Sequence, residues 1–393
     1  MLTITDKRFC TGCGACINAC PKKIISLQED EEGFWYPKID ESKCVDCHLC
    51  EKVCPFKKER QKDINEDYPR FYAGQLKCKD DLNEVSSGGA FWAVAQYVLS
   101  IGGVVFGAIQ ENVDNIYHVR TTNIDEAQRM RRSKYFQSDT NYTFCQAKED
   151  LQNNKIVLYS GTGCQIAGLL SFLNKEYDNL ITCEVVCHGV PSRKVWKKYR
   201  EEKEHIENKR ITGLVFRDKS KGWSNNQYKI TFDDCSIEYE KSTQQLFHAG
   251  YLQGLFYRPS CGCCRFASLP RVADITLADY WQYKGRFRTQ DNDLGVSLIS
   301  INTSKGTKLL NDVSDYLDYE TTENQLALSS CRHLDNHPTE NPKRKLFFEV
   351  FFVEGYYKAA NNYIVVNNGD SLLHKIGRKV NKVLRRIVNG KSK

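Results

Sequence analysis

Two stretches decide how this chain folds: Cys10-Thr-Gly-Cys13-Gly-Ala-Cys16-Ile-Asn-Ala-Cys20-Pro21 and Cys44-Val-Asp-Cys47-His-Leu-Cys50-Glu-Lys-Val-Cys54-Pro55. Both have three cysteines at intervals of three, a fourth after a further four, and a proline directly behind. A tight loop with that spacing can turn three thiolates toward one inorganic cube. The fourth cysteine, on the first turn of the next helix, points away toward a second cube. The spacing therefore predicts two [4Fe–4S] clusters, one held by Cys10, Cys13, Cys16 and Cys54 and the other by Cys20, Cys44, Cys47 and Cys50. Gly12 and Gly14 allow backbone N–H groups to approach cluster sulfurs, which helps to set potential. Zinc is the competing assignment, but zinc sites are usually built from two C-x2-C pairs.

The repeat, offset by 34 residues, is the pattern of bacterial two-cluster ferredoxins and assigns residues 1–60 to a small domain of that type. The charged stretch Lys57 to Arg70 lacks apolar periodicity and reads as a linker. Beyond it strands and helices alternate. Strands are expected at Phe71–Lys77, Val104–Gln110, Ile116–Thr122, Lys155–Tyr159 and Leu180–Val186. Helices are expected at Gly88–Ser100, Cys164–Tyr177 and Ser192–Glu207, and Ile211 to Ser242 is richer in strand. That order predicts an α/β body, so the whole is a mixed α+β and α/β chain.

Of the 393 residues, 18 are cysteines. With no secretory leader and no apolar run of about eighteen residues, they are expected in a reducing cytoplasm, where clustered cysteines bind metal or do redox chemistry. Cys78, Cys145, Cys183, Cys235, Cys263 and Cys331 are left over as ordinary thiols. The net charge of +7 sits in one place, because Gly369 to Lys393 holds eight Lys and Arg against one Asp. The basic balance thus points to a tail and not to a nucleic-acid-binding body. Residues 369–393 place Leu372, Leu373, Ile376, Val380, Val383, Leu384 and Ile387 on one helical face, opposite Lys375, Arg378, Lys379, Lys382, Arg385 and Arg386. Such a helix suits the inner membrane face or docking on a protein.

Six blocks carry a further pattern: Ser86-Ser-Gly-Gly89, Ser133-Lys-Tyr-Phe-Gln-Ser138, Gly161-Thr-Gly-Cys-Gln165, Cys187-His-Gly-Val-Pro-Ser192, Cys261-Gly-Cys-Cys264 and Ala273-Asp-Ile-Thr-Leu-Ala-Asp-Tyr-Trp281. In this order they resemble the beta subunits of coenzyme F420 hydrogenases and dehydrogenases, with flavin-dependent relatives such as 7-hydroxymethyl chlorophyll a reductase. The resemblance covers about residues 71–335, an N-terminal part at 71–145 and a C-terminal part at 150–335. Gly163 stands where the family often has Pro, and Ala278 where it often has Gly.

The resemblance implies an FAD-binding body that exchanges electrons between iron–sulfur centres and a two-electron acceptor. Cys164, Cys187, Cys261 and Cys264 match the family's scattered cysteines and imply a third [4Fe–4S] cluster. The first two follow successive strands, whose carboxyl ends lie side by side in an α/β sheet. Buried thiols or a structural zinc are the alternatives, and Cys263 competes with its neighbours. Gly161, Gly163 and Gly168 miss the dinucleotide fingerprint. For FAD the candidates are Ser86, Ser87, Gly88 and Gly89 as a phosphate nest at a helix start, with Lys134, Tyr135, Gln137 and Ser138; a helix cap and a surface loop are the plainer alternatives. His188 is a candidate proton donor or a hydrogen-bonding neighbour of the cluster. Asp279 either orients flavin or substrate or caps a turn.

The function expected is an iron–sulfur flavoprotein oxidoreductase acting on a small organic molecule, a deazaflavin among the possibilities, fed by a ferredoxin or another redox partner protein. The alternative is a non-catalytic electron-transfer subunit serving a partner enzyme, at the membrane in envelope-polysaccharide synthesis.

Overall fold

A computed structural model describes residues 3–58, 68–290 and 293–366. The proposed tail helix at 369–393 lies outside the described residues, as does most of the linker. No helix among the described residues is long and apolar enough to cross a membrane.

The front domain is built on the hairpin β1 (Ile25–Glu29) and β2 (Trp35–Ile39), antiparallel with Leu27 opposite Pro37. A proline is tolerated because the sheet has only two strands, both of them edges. The cysteine loops lie at either end of this hairpin in sequence.

The body contains β3 (Arg70–Leu76), β4 (Val104–Gln110), β5 (Ile116–Thr121), β6 (Val157–Thr162), β7 (Leu180–Val185), β8 (Ile211–Asp218), β9 (Gln227–Phe232), β10 (Ile237–Lys241), β11 (Ile275–Asp279), β12 (Ser297–Ile301) and β13 (Leu317–Thr321). Eight of them form one mixed sheet in the order β13-β3-β12-β11-β7-β6-β4-β5. Its centre, β11-β7-β6-β4, is parallel, and both flanks are antiparallel. The parts 71–145 and 150–335 therefore share one sheet, since β3 lies between β12 and β13. The strand-rich stretch forms a separate antiparallel sheet, β10-β9-β8.

Most expected elements occur within a few residues of their places. Two differ for local reasons. β6 runs on through Ser160-Gly-Thr162 because each of these residues pairs with β7, ending with Thr162 beside Val185. The following helix, Gly163–Leu173, stops short of Tyr177 because Asn174 takes a left-handed conformation at φ 52°.

Helices cover both faces of the large sheet. On one face Trp92, Ala93 and Val98 of the helix Ala90–Ser100 pack with Leu158, Ile275 and Ile299. On the other, Ile166, Leu169 and Leu173 join Phe144, Val104 and Tyr159. Cys13 and Ala15 of the front domain belong to this second cluster. The hairpin turn docks as well. Gly33, at φ +89°, leaves no room for a Cβ, which would fall 2.5 Å from that of Lys194. Ser192 Oγ donates to Glu32 O at 2.5 Å, and Arg344 Nη1 to Glu32 Oε1 at 2.9 Å.

One buried ion pair ties the sheet centre together. Arg271 Nε donates to Glu184 Oε1 at 2.5 Å, and Thr276 Oγ1 donates to the same oxygen at 2.7 Å. Both charged side chains are nearly inaccessible. Removing one partner strands a buried charge, so Glu184→Ala should lower stability by about 3–5 kcal/mol. Chemical denaturation checks this, with an unchanged midpoint as the contrary result.

Candidate functional site

The parallel strands bring the chemistry-bearing loops to one edge. Thr162 pairs beside Val185, and Val185 beside Leu277. Just past these strand ends come Cys164, then Cys187 and His188, while Asp279 closes β11. Cys261 and Cys264 arrive from a short 3-10 turn, Pro259–Cys263.

The four thiols of Cys164, Cys187, Cys261 and Cys264 influence one another electrostatically, and burial pushes those of Cys187 and Cys264 up to about 11 and about 12. Donors already point at the sulfurs: Val190 N to Cys261 Sγ at 3.3 Å, Gly189 N to Cys187 Sγ at 3.4 Å, and the Thr162 hydroxyl 3.2 Å from Cys164 Sγ. Such N–H···S contacts are typical around iron–sulfur clusters. Cys263 faces elsewhere, with its thiol donating to Arg8 O at 3.7 Å.

In the front domain, Cys10, Cys13, Cys16 and Cys54 line a cavity of about 280 Å³ with Thr11, Gly12 and Gly14. Burial pushes the Cys13 thiol up to about 12, and Cys16 is raised for the same reason. Cys16 also lies within electrostatic reach of Cys50, so the second set of cysteines is adjacent. Within that set Cys47 is exposed, with Val45 and Leu49 exposed beside it. No cysteine described is in a disulfide. Among the described residues no three His, Cys, Asp or Glu side chains converge on a single ion. A cube instead spreads its four cysteine ligands over separate corners, which suits a cavity lined by thiols.

The first set and the scattered set adjoin. A Cβ on Gly168 would lie 2.9 Å from Cys13 Sγ, and Gly168 is one turn beyond Cys164 on the same helix. The Thr11 hydroxyl has no hydrogen-bond partner of good geometry but lies close enough to Cys164 to favour its thiolate.

The flavin candidates separate. Ser86 Oγ accepts from Ser133 N at 2.7 Å, and Ser87 Oγ donates to Val296 O at 2.9 Å. Gly88 packs on β3 and β12, where a Cβ would fall 2.2 Å from Gly74 O, and Gly89 precedes the helix at φ +82° against Leu76. These contacts commit the two serine hydroxyls to bonds across the fold and Gly88 to packing, and neither serine caps the helix that follows. Gln137 and Ser138 also turn away. Gln137 Nε2 donates to Thr11 O at 3.2 Å and Gly12 O at 2.9 Å, while Ser138 Oγ contacts His118 Nδ1 and Gln165 Nε2. The sequence pattern marks both as polar loop residues; only the docked front domain explains Gln137.

Lys134 and Tyr135 are half-buried. Lys134 borders a basic cleft of about 600 Å³ with Arg129, Arg131 and Arg132, and its Nζ donates to Arg131 O at 2.7 Å. Desolvation, with the Arg132 charge beside it, pulls its ammonium down to about 7. Tyr135 packs against Phe216, His248 and Tyr251. Tyr251 in turn donates to Gly189 O at 3.1 Å, two residues past Cys187. Thus one wall of aromatic side chains links the scattered cysteines to the cleft.

Asp279 neither caps a turn nor stands free. Its oxygens take Arg217 Nη1 at 2.5 Å and Trp223 Nε1 at 3.1 Å. Arg217 Nη2 is buried without a good hydrogen-bond partner beside Tyr135. Trp223 stacks on Trp281 at 4.2 Å. Arg217 and Trp223 are site residues that no sequence motif marks, because only tertiary contact brings them to the end of β11, beside Asp279 and Trp281. His188 is packed 4.4 Å from His333, and burial first, then that neighbour, pulls it down to about 4. A neutral imidazole keeps one ring N–H, and His188 Nε2 lies 3.4 Å from Leu252 O, which favours the hydrogen-bonding role.

Residues 154–325 match the family model for the C terminus of the coenzyme F420 hydrogenase/dehydrogenase beta subunit, and residues 9–58 match the 4Fe-4S dicluster domain. The body is thus related to that beta subunit. The protein is an iron–sulfur electron-transfer protein, and its front domain carries [4Fe–4S] clusters. An uncharacterized ferredoxin of Methanocaldococcus jannaschii is 38% identical over 52 residues, 13% of this chain and 66% of that protein. A ferredoxin of Pyrobaculum islandicum is 35% identical over 54 residues, 14% of this chain and 47% of that one. The chain therefore spans just under two thirds of the first relative and about half of the second. Among solved structures, a chain of the F420-reducing [NiFe] hydrogenase complex from Methanosarcina barkeri is similar at 15% identity and a TM-score of 0.46, covering 72% of this chain and 92% of that chain.

The Gln137 side chain ties two loop carbonyls of the front domain to the body. Gln137→Ala should cost about 1–3 kcal/mol and speed hydrogen exchange in residues 9–20 more than in β6 and β7. Equal protection in both regions would contradict this docking role.

Proposed function

We propose that this protein is an iron–sulfur flavoprotein oxidoreductase with three [4Fe–4S] clusters, two in the front domain and one held by Cys164, Cys187, Cys261 and Cys264. The observation that carries the reading is the placement of those four thiols between Cys13 and the aromatic wall that leads to Tyr135. A flavin in the basic cleft would supply the conversion between one-electron and two-electron chemistry. Lys134 fits a phosphate of such a cofactor and Tyr135 its ring, with Arg217, held by Asp279, set against that tyrosine. The acceptor is a small organic molecule, and the family description makes a deazaflavin the first one to try.

The outward set at Cys47, with exposed Val45 and Leu49 beside it, suits contact with a redox partner protein. The same surface would serve an electron-transfer subunit of a larger enzyme, which is the second reading.

Anaerobic purification with iron and flavin counts separates the two. About twelve irons and one FAD support the oxidoreductase, and about eight irons without flavin support the carrier. Cys261→Ser and Cys264→Ser should each reduce iron by about four per chain, and Cys263→Ser should leave it unchanged. Flavin affinity adds a pH test. Below about 7 Lys134 is protonated with or without ligand, so affinity is flat. Above that, only the phosphate-bound form keeps the proton, so affinity should fall by up to about tenfold per pH unit. Lys134→Met should bind more weakly at pH 6 and lose this slope in a fluorescence titration.

A further inference from the structure

Arg258 is fully buried, and no carboxylate forms an ion pair with it among the described residues. Its backbone belongs to the loop of the scattered cysteines, with Arg258 N donating to Val190 O at 2.9 Å and Cys261 N donating to Arg258 O at 2.9 Å. Its side chain crosses into the front domain. Nε donates to Cys10 O at 2.8 Å, Nη2 to Trp35 O at 2.8 Å, and Nη1 to Gln137 Oε1 at 3.2 Å. Nη2 also points at Cys10 Sγ from 3.7 Å. The guanidinium lies 4.3 Å from the centre of the Tyr36 ring. It is close enough to Cys164 to favour that thiolate as well.

A buried cation without an acid partner is strongly unfavourable unless another anion offsets it. Here every hydrogen bond to oxygen goes to a neutral group. The anionic groups that face the guanidinium are cysteine sulfurs from two different sets, Cys10 and Cys164. A [4Fe–4S] cube with four thiolates is itself a net anion, and one-electron reduction adds a further negative charge without making or breaking a bond. A fixed cation beside it therefore favours the reduced state, as do hydrogen bonds to its sulfurs.

We propose that Arg258 is the shared counter-cation of the front-domain cluster held by Cys10, Cys13, Cys16 and Cys54 and of the Cys164 site, raising the potential of the former and holding the two in contact. It is a positioning residue, since it acts through the cluster ligands. The inference rests on the ligand assignment above.

The test uses full-length protein reconstituted under anaerobic conditions, reduced stepwise with dithionite and followed by EPR. Arg258→Gln retains polarity and removes the charge, and it should make reduction of one cluster about tenfold less favourable, a fall of about 59 mV for a one-electron couple. The cluster of Cys20, Cys44, Cys47 and Cys50 should keep its potential. Arg258→Lys loses the fork of hydrogen bonds but retains charge, and it should recover most of the shift. An unchanged potential in the Gln variant at full iron content overturns the proposal. So does a Lys variant that falls as far as Gln. Should the Gln variant fail to assemble, the Lys variant decides, a near-native potential supporting the charge role and a tenfold loss refuting it. Iron in the wild type is counted separately. About eight irons would end the third-cluster reading while the potential of the Cys10 cluster still reports on Arg258.

Discussion

The contact between the Cys10–Cys16 loop and the helix Gly163–Leu173 is the constraint on which the rest depends. Cys13 and Ala15 are part of the same apolar cluster as Ile166, Leu169 and Leu173. Gly168 allows the approach, because any larger residue would meet the Cys13 sulfur. That one missing side chain brings Cys13 of the front domain within a helical turn of Cys164. Electron transfer between centres needs such proximity, and the packing provides it without a tether.

Charge is handled in two ways around this contact. Arg271 and Glu184 neutralise each other in the sheet centre and hold β7 to the segment before β11. Arg258 has no acid partner and instead faces sulfur. Arg217 is intermediate, with one nitrogen committed to Asp279 and the side chain set against Tyr135. The three buried arginines thus mark three jobs: holding the sheet, balancing the cysteine centres, and joining Asp279 to Tyr135.

Local chemistry made much of this legible in advance. The two C-x2-C-x2-C-x3-C-P runs carry their geometry in their spacing, so the front domain could be read from a dozen residues. The alternation of strand and helix located β4, β5, β7 and the helix Arg193–Glu207 within a residue or so. Less was legible in the flavin candidates. Ser86, Ser87 and Gly88 look like an anion nest in sequence, yet their partners are Ser133, Val296 and the backbones of β3 and β12. Gln137 looks like its neighbour Tyr135 in kind of position, yet it reaches the front domain.

Residues near one another along the chain were enough to specify the two ferredoxin-type cysteine runs, the order of strands and helices, and the family to which the body is related. Each of these depends on short-range spacing or on a motif that stays intact in one dimension. Packing between distant segments settled the rest. Cys263 turns away while Cys261 and Cys264 turn toward Cys164 and Cys187. Asp279 serves Arg217, and Arg258 joins the two domains. A side chain's partners across a packed interface are set by which surfaces exclude water together, and neither spacing nor composition records that.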